Sequence, residues 1–188
     1  MDPQLPPPDD LDAPVRELVG ALAHRVGERE AVAMCTDLLL GAPAAEYPTV
    51  LPYLAGWPAH SLLEGRWADY WGRTWGARAL LYIWDEPAAE AVVRGLDDPH
   101  WRPAESCLRV AAAREVAEAV DGAVRLAGHH LPRVRAAALR TLGRVGDTEH
   151  VTVVRRGLAD PHVDVRRAAG LALERMAARL DLGPDPLS

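Results

Sequence analysis

A period of 31 residues runs through the C-terminal two thirds of this chain, and it limits the fold more than any single residue does. Asp98-Pro99-His100 returns as Asp160-Pro161-His162, 62 positions or two periods later, and the copy between has lost the motif but kept the frame. At the same step Arg94 returns as Arg125 and Arg156, Arg78 as Arg109 and Arg140, and Leu80 as Ala111, Leu142 and Leu173. A small-residue position recurs with them at Gly76, Cys107, Ala138 and Ala169. Self-similarity at this length marks a solenoid or repeat array, in which each unit buries its apolar face against its neighbours. Proteins of this kind work by presenting a surface.

Each unit reads as a helical hairpin. Val116, Ala119, Val120, Ala123, Val124 and Ala127 carry the spacing of one helix face, so a first helix is predicted over 115–127. Gly128-His129-His130 breaks it, and Leu131, Val134, Ala138, Leu142 and Val145 form a second stripe that stops at Gly146. Asp98 and Asp160 stand directly before a proline, so both are expected to cap the second helix of their unit. No window alternates with period two, which leaves no expected strand.

The landmarks of a tetratricopeptide repeat and of an ankyrin repeat are missing. The segment Leu158-Ala159-Asp160-Pro161-His162-Val163-Asp164-Val165-Arg166-Arg167-Ala168-Ala169 instead resembles a HEAT repeat, in the short bacterial form first named for phycobilisome lyases. The resemblance covers roughly residues 67–180. It implies an all-α fold, a right-handed α–α superhelix of HEAT-like hairpins, in which a turn Asp and an Arg six residues later hydrogen-bond along the stack. Asp160 with Arg166 fits that pattern. The middle unit has Arg135 but His129 in place of Asp, and the earlier one has Asp98 but Ala104 in place of Arg. The family includes scaffolds, adaptors, lyase subunits, hydroxylases and DNA glycosylases, so fold alone does not select a function.

Residues 1–14 are acidic and proline-rich and are expected to form a disordered tail. Residues 15–65 are read as an N-terminal cap or divergent repeat. It begins with a hairpin over 15–26 and 28–40, followed by a less regular, proline-bearing stretch with room for one short helix. Residues 66–180 form the repeat array, and 181–188 a C-terminal tail. Two cysteines, Cys35 and Cys107, are expected as free buried thiols of a cytoplasmic protein, and no signal peptide or membrane span is indicated.

All 21 basic residues are Arg. A chain without Lys has no Schiff-base lysine and no P-loop lysine. It also lacks a His-Glu dipeptide, a Cys-x-x-Cys and a Gly-x-Gly-x-x-Gly, so neither a metal site nor a cofactor is expected. His100 and His162 are read as turn histidines beside a cap, and His129-His130 as a solvated turn.

On the second helices one arc opposite the core stripe is the candidate surface. It reads Arg133, Ala137, Arg140 and Arg144 in one unit, and Arg102, Ser106, Arg109 and Ala113 in the unit before. Earlier still it reads Trp71, Trp75, Arg78 and Tyr82, and in the last unit Asp164, Ala168, Leu171 and Arg175. The resemblance implies that such helices line a concave groove, here with a Trp/Tyr end and an arginine-rich middle. Residues 1–65 hold 3 Arg and 10 acids, whereas residues 66–188 hold 18 Arg and 17 acids. Trp67 and Trp84 are assigned to packing, Trp71 and Trp75 to partner contact.

The reading is a non-catalytic scaffold or adaptor that binds an acidic or aromatic-bearing protein segment through this arc. Nucleic acid is the second candidate partner. Plain solvated arginines are the bland alternative. The enzymatic alternatives are a HEAT-fold DNA glycosylase using Asp69, Trp71 and Trp75, or a lyase-like accessory subunit. The acidic total speaks against tight phosphate tracking. Asp9, Asp10 and Asp12 are further expected to fold over the arginine strip and mask it.

Overall fold

The structure, a computed structural model, describes residues 3–181. Met1 and Asp2 of the expected tail, and all of the expected C-terminal tail except Asp181, lie outside the described residues. Among the described residues the chain is all-helical, with eleven α-helices and no strand. It divides into two compact units, one ending at Ser106 and the other beginning at Cys107.

In the first unit α1 (Val15–Val26) and α2 (Glu28–Leu39) form the expected hairpin, hinged at Gly27 with φ 90°. Leu18, Val19 and Leu22 of α1 face Ala31, Cys35 and Leu38 of α2, all buried. The following stretch holds two short helices where one was expected, α3 (Leu51–Ala55) and α4 (Pro58–Leu63), plus a 3₁₀ turn at Ala44–Glu46. Pro52 and Pro58 sit in the first turns of α3 and α4, where a missing N–H costs nothing, so these prolines start helices. Helix α5 (Tyr70–Ala79) packs on α2, and α6 (Ala88–Gly95) follows. The core here is built from large side chains, with Tyr53, Leu22, Leu38, Leu51, Leu54 and Leu80 fully buried, each stabilising by roughly 2 kcal/mol.

The expected disordered tail is seated in this unit. Leu5 N–H donates to Thr49 Oγ1 at 3.0 Å, Tyr53 Oη donates to the Pro6 carbonyl at 2.8 Å, and Pro8 is buried. Composition suggested disorder because the segment cannot form a core of its own. It has no need of one when a preformed apolar face is adjacent.

The division into units falls within α7 (Trp101–Arg114). In the second unit α8 (Val120–Leu126) follows a 3₁₀ turn at Ala117–Ala119, and α9 (Pro132–Val145) completes the hairpin at the predicted place. Helices α10 (Val151–Arg156) and α11 (Val163–Leu180) form the last hairpin. This core has no aromatic residue, and Leu108, Leu139, Leu142, Leu173 and Met176 are buried in it together with alanines. Ala136, Ala137, Ala138, Ala168, Ala169 and Ala172 are all buried, and a Cβ on Gly143 would lie 2.8 Å from Ala172 Cα, so α9 and α11 are in backbone-close contact. Thr141 is fully buried. Its hydroxyl is shared between the Ala137 carbonyl on its own helix and the Leu108 carbonyl on α7, at 3.1 and 2.9 Å.

The inter-helix turns correct two expectations. Asp98 and Asp160 do not cap the second helices directly. Their carboxylates accept the N–H of His100 and His162 two residues on, and the imidazole Nδ1 of each histidine then accepts the N–H of Arg102 and Asp164 in the first turn of the helix. The histidines are the caps. The second correction concerns Arg166, which meets the backbone carbonyls of Asp160 and Pro161 and not the Asp160 carboxylate. Arg135 does the same to His129 and His130, and its other edge pairs with Asp160 of the next unit at 2.7 and 2.8 Å. In the first unit Arg73 pairs with Asp98 in the same way, at 2.6 and 3.2 Å.

The pairing therefore spans 25 residues, from one turn arginine forward to the next turn aspartate. It resolves the apparent irregularity of the motif. At the intermediate register the sequence offers Ala104 and His129, so both charges are absent together. His129 nonetheless keeps the turn, because its Nδ1 accepts Leu131 N–H at 3.0 Å as the aspartates accept theirs.

Candidate functional site

The two units use the same helical arc differently. In the first, the expected contact residues are largely committed to internal packing. Trp75 is only 2 % exposed, which removes it as a partner contact. Its ring lies 5.8 Å from Trp71 and 5.9 Å from Trp67, centroid to centroid. An arc placed opposite the apolar stripe of a lone helix becomes interior once α5 is packed by α2 on one side and by α3 on another. Arg78 is half-buried and donates to the Leu54 carbonyl at 2.7 Å, so it serves to terminate α3. Only Tyr82, 41 % exposed, stands open to solvent as expected.

Trp71 and Arg102 belong to an aromatic cluster that the arc alone did not reveal. The Arg102 guanidinium lies 4.8 Å from the Trp71 ring centroid and 4.3 Å from that of Trp101. Tyr70 stacks on His100 at 3.5 Å with the planes 5° apart. His100 is held below the ordinary histidine value, by burial first and then by the Arg102 charge. The missed members, Tyr70 and Trp101, come together because the turn before α7 folds onto α5 through the Arg73–Asp98 pair. That long-range pairing leaves no mark in a helical wheel.

In the second unit the arc is a surface. Arg133, Arg140 and Arg144 are exposed on α9, and Arg109 is exposed on the part of α7 that belongs to this unit. Arg109 and Arg140 each stand one residue from the Leu108–Thr141 hydrogen bond that ties α7 to α9. Neither makes an ion pair with a described residue, and Arg144 approaches Glu115 only at 3.4 Å, both groups well exposed. Ala137 and Ala168, in the same arc, are buried, because a methyl group is small enough to sit beneath the neighbouring arginines. On α11 the arc presents Asp164, Arg175 and Leu171, the last 50 % exposed. Five arginines and an uncovered leucine thus share a face with one carboxylate of α11 and Glu115. From Cys107 onward the chain has 13 Arg and 10 acids, net +3, against 8 Arg and 17 acids, net −9, up to Ser106.

Arg135 and Asp160 are spent on structure. Hydrogen bonding to Arg135 holds the Asp160 carboxyl below its usual value, and the same bonds raise Arg135. His129 is held low by burial and by His130 beside it. Burial pushes the Cys35 thiol up to about 12, which keeps it protonated and unreactive at neutral pH, and Cys107 is buried as well. Among the described residues no three His, Cys, Asp or Glu side chains come together to hold a metal ion.

Paired helices in series, joined by turns that an arginine and an aspartate lock, define a helical-repeat protein of the α-solenoid class. Residues 89–174 match the family model of HEAT repeats. The match includes the Asp98 to Asp160 and Arg94 to Arg156 registers of the 31-residue period. No curated protein matches the chain. No helix among the described residues is long and apolar enough to cross a membrane.

Proposed function

We propose that this chain is a non-catalytic interaction protein whose second unit binds an acidic segment of a partner protein through Arg109, Arg133, Arg140, Arg144 and Arg175 around Leu171. The observation that carries the reading is that these arginines stay on the surface while their counterparts in the first unit are drawn into packing. HEAT repeats commonly mediate protein–protein interaction, and a planar guanidinium pairs with carboxylates and stacks on rings. An exposed leucine among arginines favours a protein segment over a nucleic-acid backbone, which offers charge but no complementary apolar side chain. The Asp-Pro-His turn supports the short bacterial, phycobilisome-lyase-like form of the repeat. A cytoplasmic setting, in which the buried thiols Cys35 and Cys107 stay reduced, belongs to this reading. The glycosylase alternative loses one of its aromatic residues, since Trp75 is interior.

The test is retention of acidic peptides by the full chain and by Arg109→Glu/Arg140→Glu/Arg144→Glu, with both first matched for helicity. Binding by the wild type that weakens with salt and is lost in the triple variant is the expected result. Equal retention by both proteins, or retention of duplex DNA in preference to peptide, sinks the reading.

A further inference from the structure

The N-terminal arm is held as a ligand is held. Among the described residues no backbone–backbone hydrogen bond ties residues 3–9 to the rest of the unit; the first in the arm is Ala13 N–H to the Asp10 carbonyl, within the turn that leads into α1. In place of such bonds, a set of side chains reads an extended segment. Tyr53 Oη donates to the Pro6 carbonyl, and Thr49 Oγ1 accepts the N–H of Leu5. Arg25 lies 6.0 Å from the Tyr53 ring centroid and 3.9 Å from Asp9. Gly56, at φ 64°, leaves room for the Leu11 carbonyl, which a Cβ there would meet at 2.2 Å. Tyr53 is fully buried beneath the arm, and Pro8 is buried with it.

This is the chemistry by which proline-rich segments are recognised. Three consecutive prolines have no N–H to give, so the receptor supplies a hydroxyl donor for a carbonyl and an aromatic or apolar floor for the rings. The stiffness of such a segment lowers the entropy lost on docking. Asp9, the first acid after the prolines, lies within reach of a basic side chain, Arg25 on α1. These contacts also correct the expectation that Asp9, Asp10 and Asp12 mask the arginine strip. Asp9 faces Arg25, and Asp10 is used locally, its Oδ1 accepting Asp12 N–H at 2.8 Å.

We propose that the face formed by Tyr53, Thr49, Gly56 and Arg25 is a docking site for an extended proline-rich, acidic segment of a partner protein, and that residues 5–11 occupy it as an intramolecular competitor. This site is separate from the arginine face of the second unit and stands or falls without it.

The experiment uses the full chain and a fluorescent peptide of the sequence Pro3 to Ala13. An arm-disabled chain, Leu5→Asp/Pro8→Asp, keeps every receptor residue while weakening the tethered competitor. The expected result is unchanged helicity and peptide binding about tenfold tighter than to the wild type, the direction set by removing an intramolecular rival. Tyr53→Phe added to the arm-disabled chain then weakens binding about fivefold, the loss of one hydrogen bond. Three outcomes overturn the proposal. One is no saturable binding to the arm-disabled chain up to about 1 mM, the range of tethered concentrations. A second is loss of helicity in that chain, which makes the arm an integral part of the fold. A third is wild-type dimerisation abolished by the arm substitutions, which assigns the site to the arm of a second copy.

Discussion

Arg73 with Asp98 in the first unit, and Arg135 with Asp160 in the second, are joined by the same two-pronged pairing across the same 25 residues. Around these matched pairs the units differ in aromatic content and in charge. The first fills its interior with Leu, Tyr and Trp and carries a strong negative excess. The second has no aromatic residue, packs Leu108, Leu142, Leu173 and Met176 among alanines, and leaves the arginines of the arc outside. A repeat frame thus fixes where helices turn and pair, while side-chain volume at one arc position decides whether the arc is core or surface. Trp75 needs a pocket to fill. Ala137, two periods on at 62 residues, needs none, and lets Arg133 and Arg140 remain in solvent.

The comparison breaks most sharply at that arc position. Trp75→Ala should cost about 4 kcal/mol of stability in urea unfolding, as removal of a large buried side chain does, with no direct effect on partner binding by the folded fraction. A cost below about 1 kcal/mol would return Trp75 to the surface. The matched pairs come next. Asp98→Ala and Asp160→Ala should each cost about 3 kcal/mol, because each strands an arginine that is mostly shielded from water. Double-mutant cycles with Arg73→Ala and Arg135→Ala should show coupling in both units. Additive effects in either would show that its pair is ornamental.

A smaller effect separates the histidine caps from the aspartates. An imidazole that accepts an N–H through Nδ1 is neutral, and His100 and His129 are held below the ordinary value. Between the folded and unfolded values the folded chain binds fewer protons. The contribution of these two imidazoles is therefore complete above about pH 6.5 and is lost as pH falls through the folded values. Asp160, also lowered, acts in a more acidic window, its contribution complete above about pH 3.9 and lost below it. The urea midpoint should fall between pH 7.5 and pH 5, with a cap contributing about 1 kcal/mol. His129→Asn, whose side-chain oxygen can accept Leu131 N–H without titrating, should flatten part of that fall; an unaltered slope would exclude His129 from it.

Least of all should the exposed arginines matter to stability. Arg109→Glu and Arg140→Glu should each shift it by less than about 0.5 kcal/mol, since they are solvated and lie outside any ion pair among the described residues. A shift of 2 kcal/mol or more in thermal or urea melting would make them structural.

By itself the sequence determined the helical-hairpin frame. The 31-residue period, Gly146 at the end of α9 and Gly27 between α1 and α2 are local signals, readable because helix periodicity and termination are short-range physics. The Arg–Asp pattern was also written there. Its direction was not, since Arg135 reaches forward 25 residues to Asp160 and a motif read within one unit assigns that partner to Arg166. The candidate surface was half legible. Arg109, Arg133, Arg140 and Arg144 are exposed as the helical arc implies, whereas Trp75 and Arg78 are not. A helical wheel knows one helix, and burial depends on how many neighbours that helix acquires. Tertiary structure alone decided the fate of residues 3–13, whose proline-rich composition forbids a core of their own. They are ordered by Tyr53, Thr49 and Gly56, contacts more than 40 positions away that no local propensity encodes.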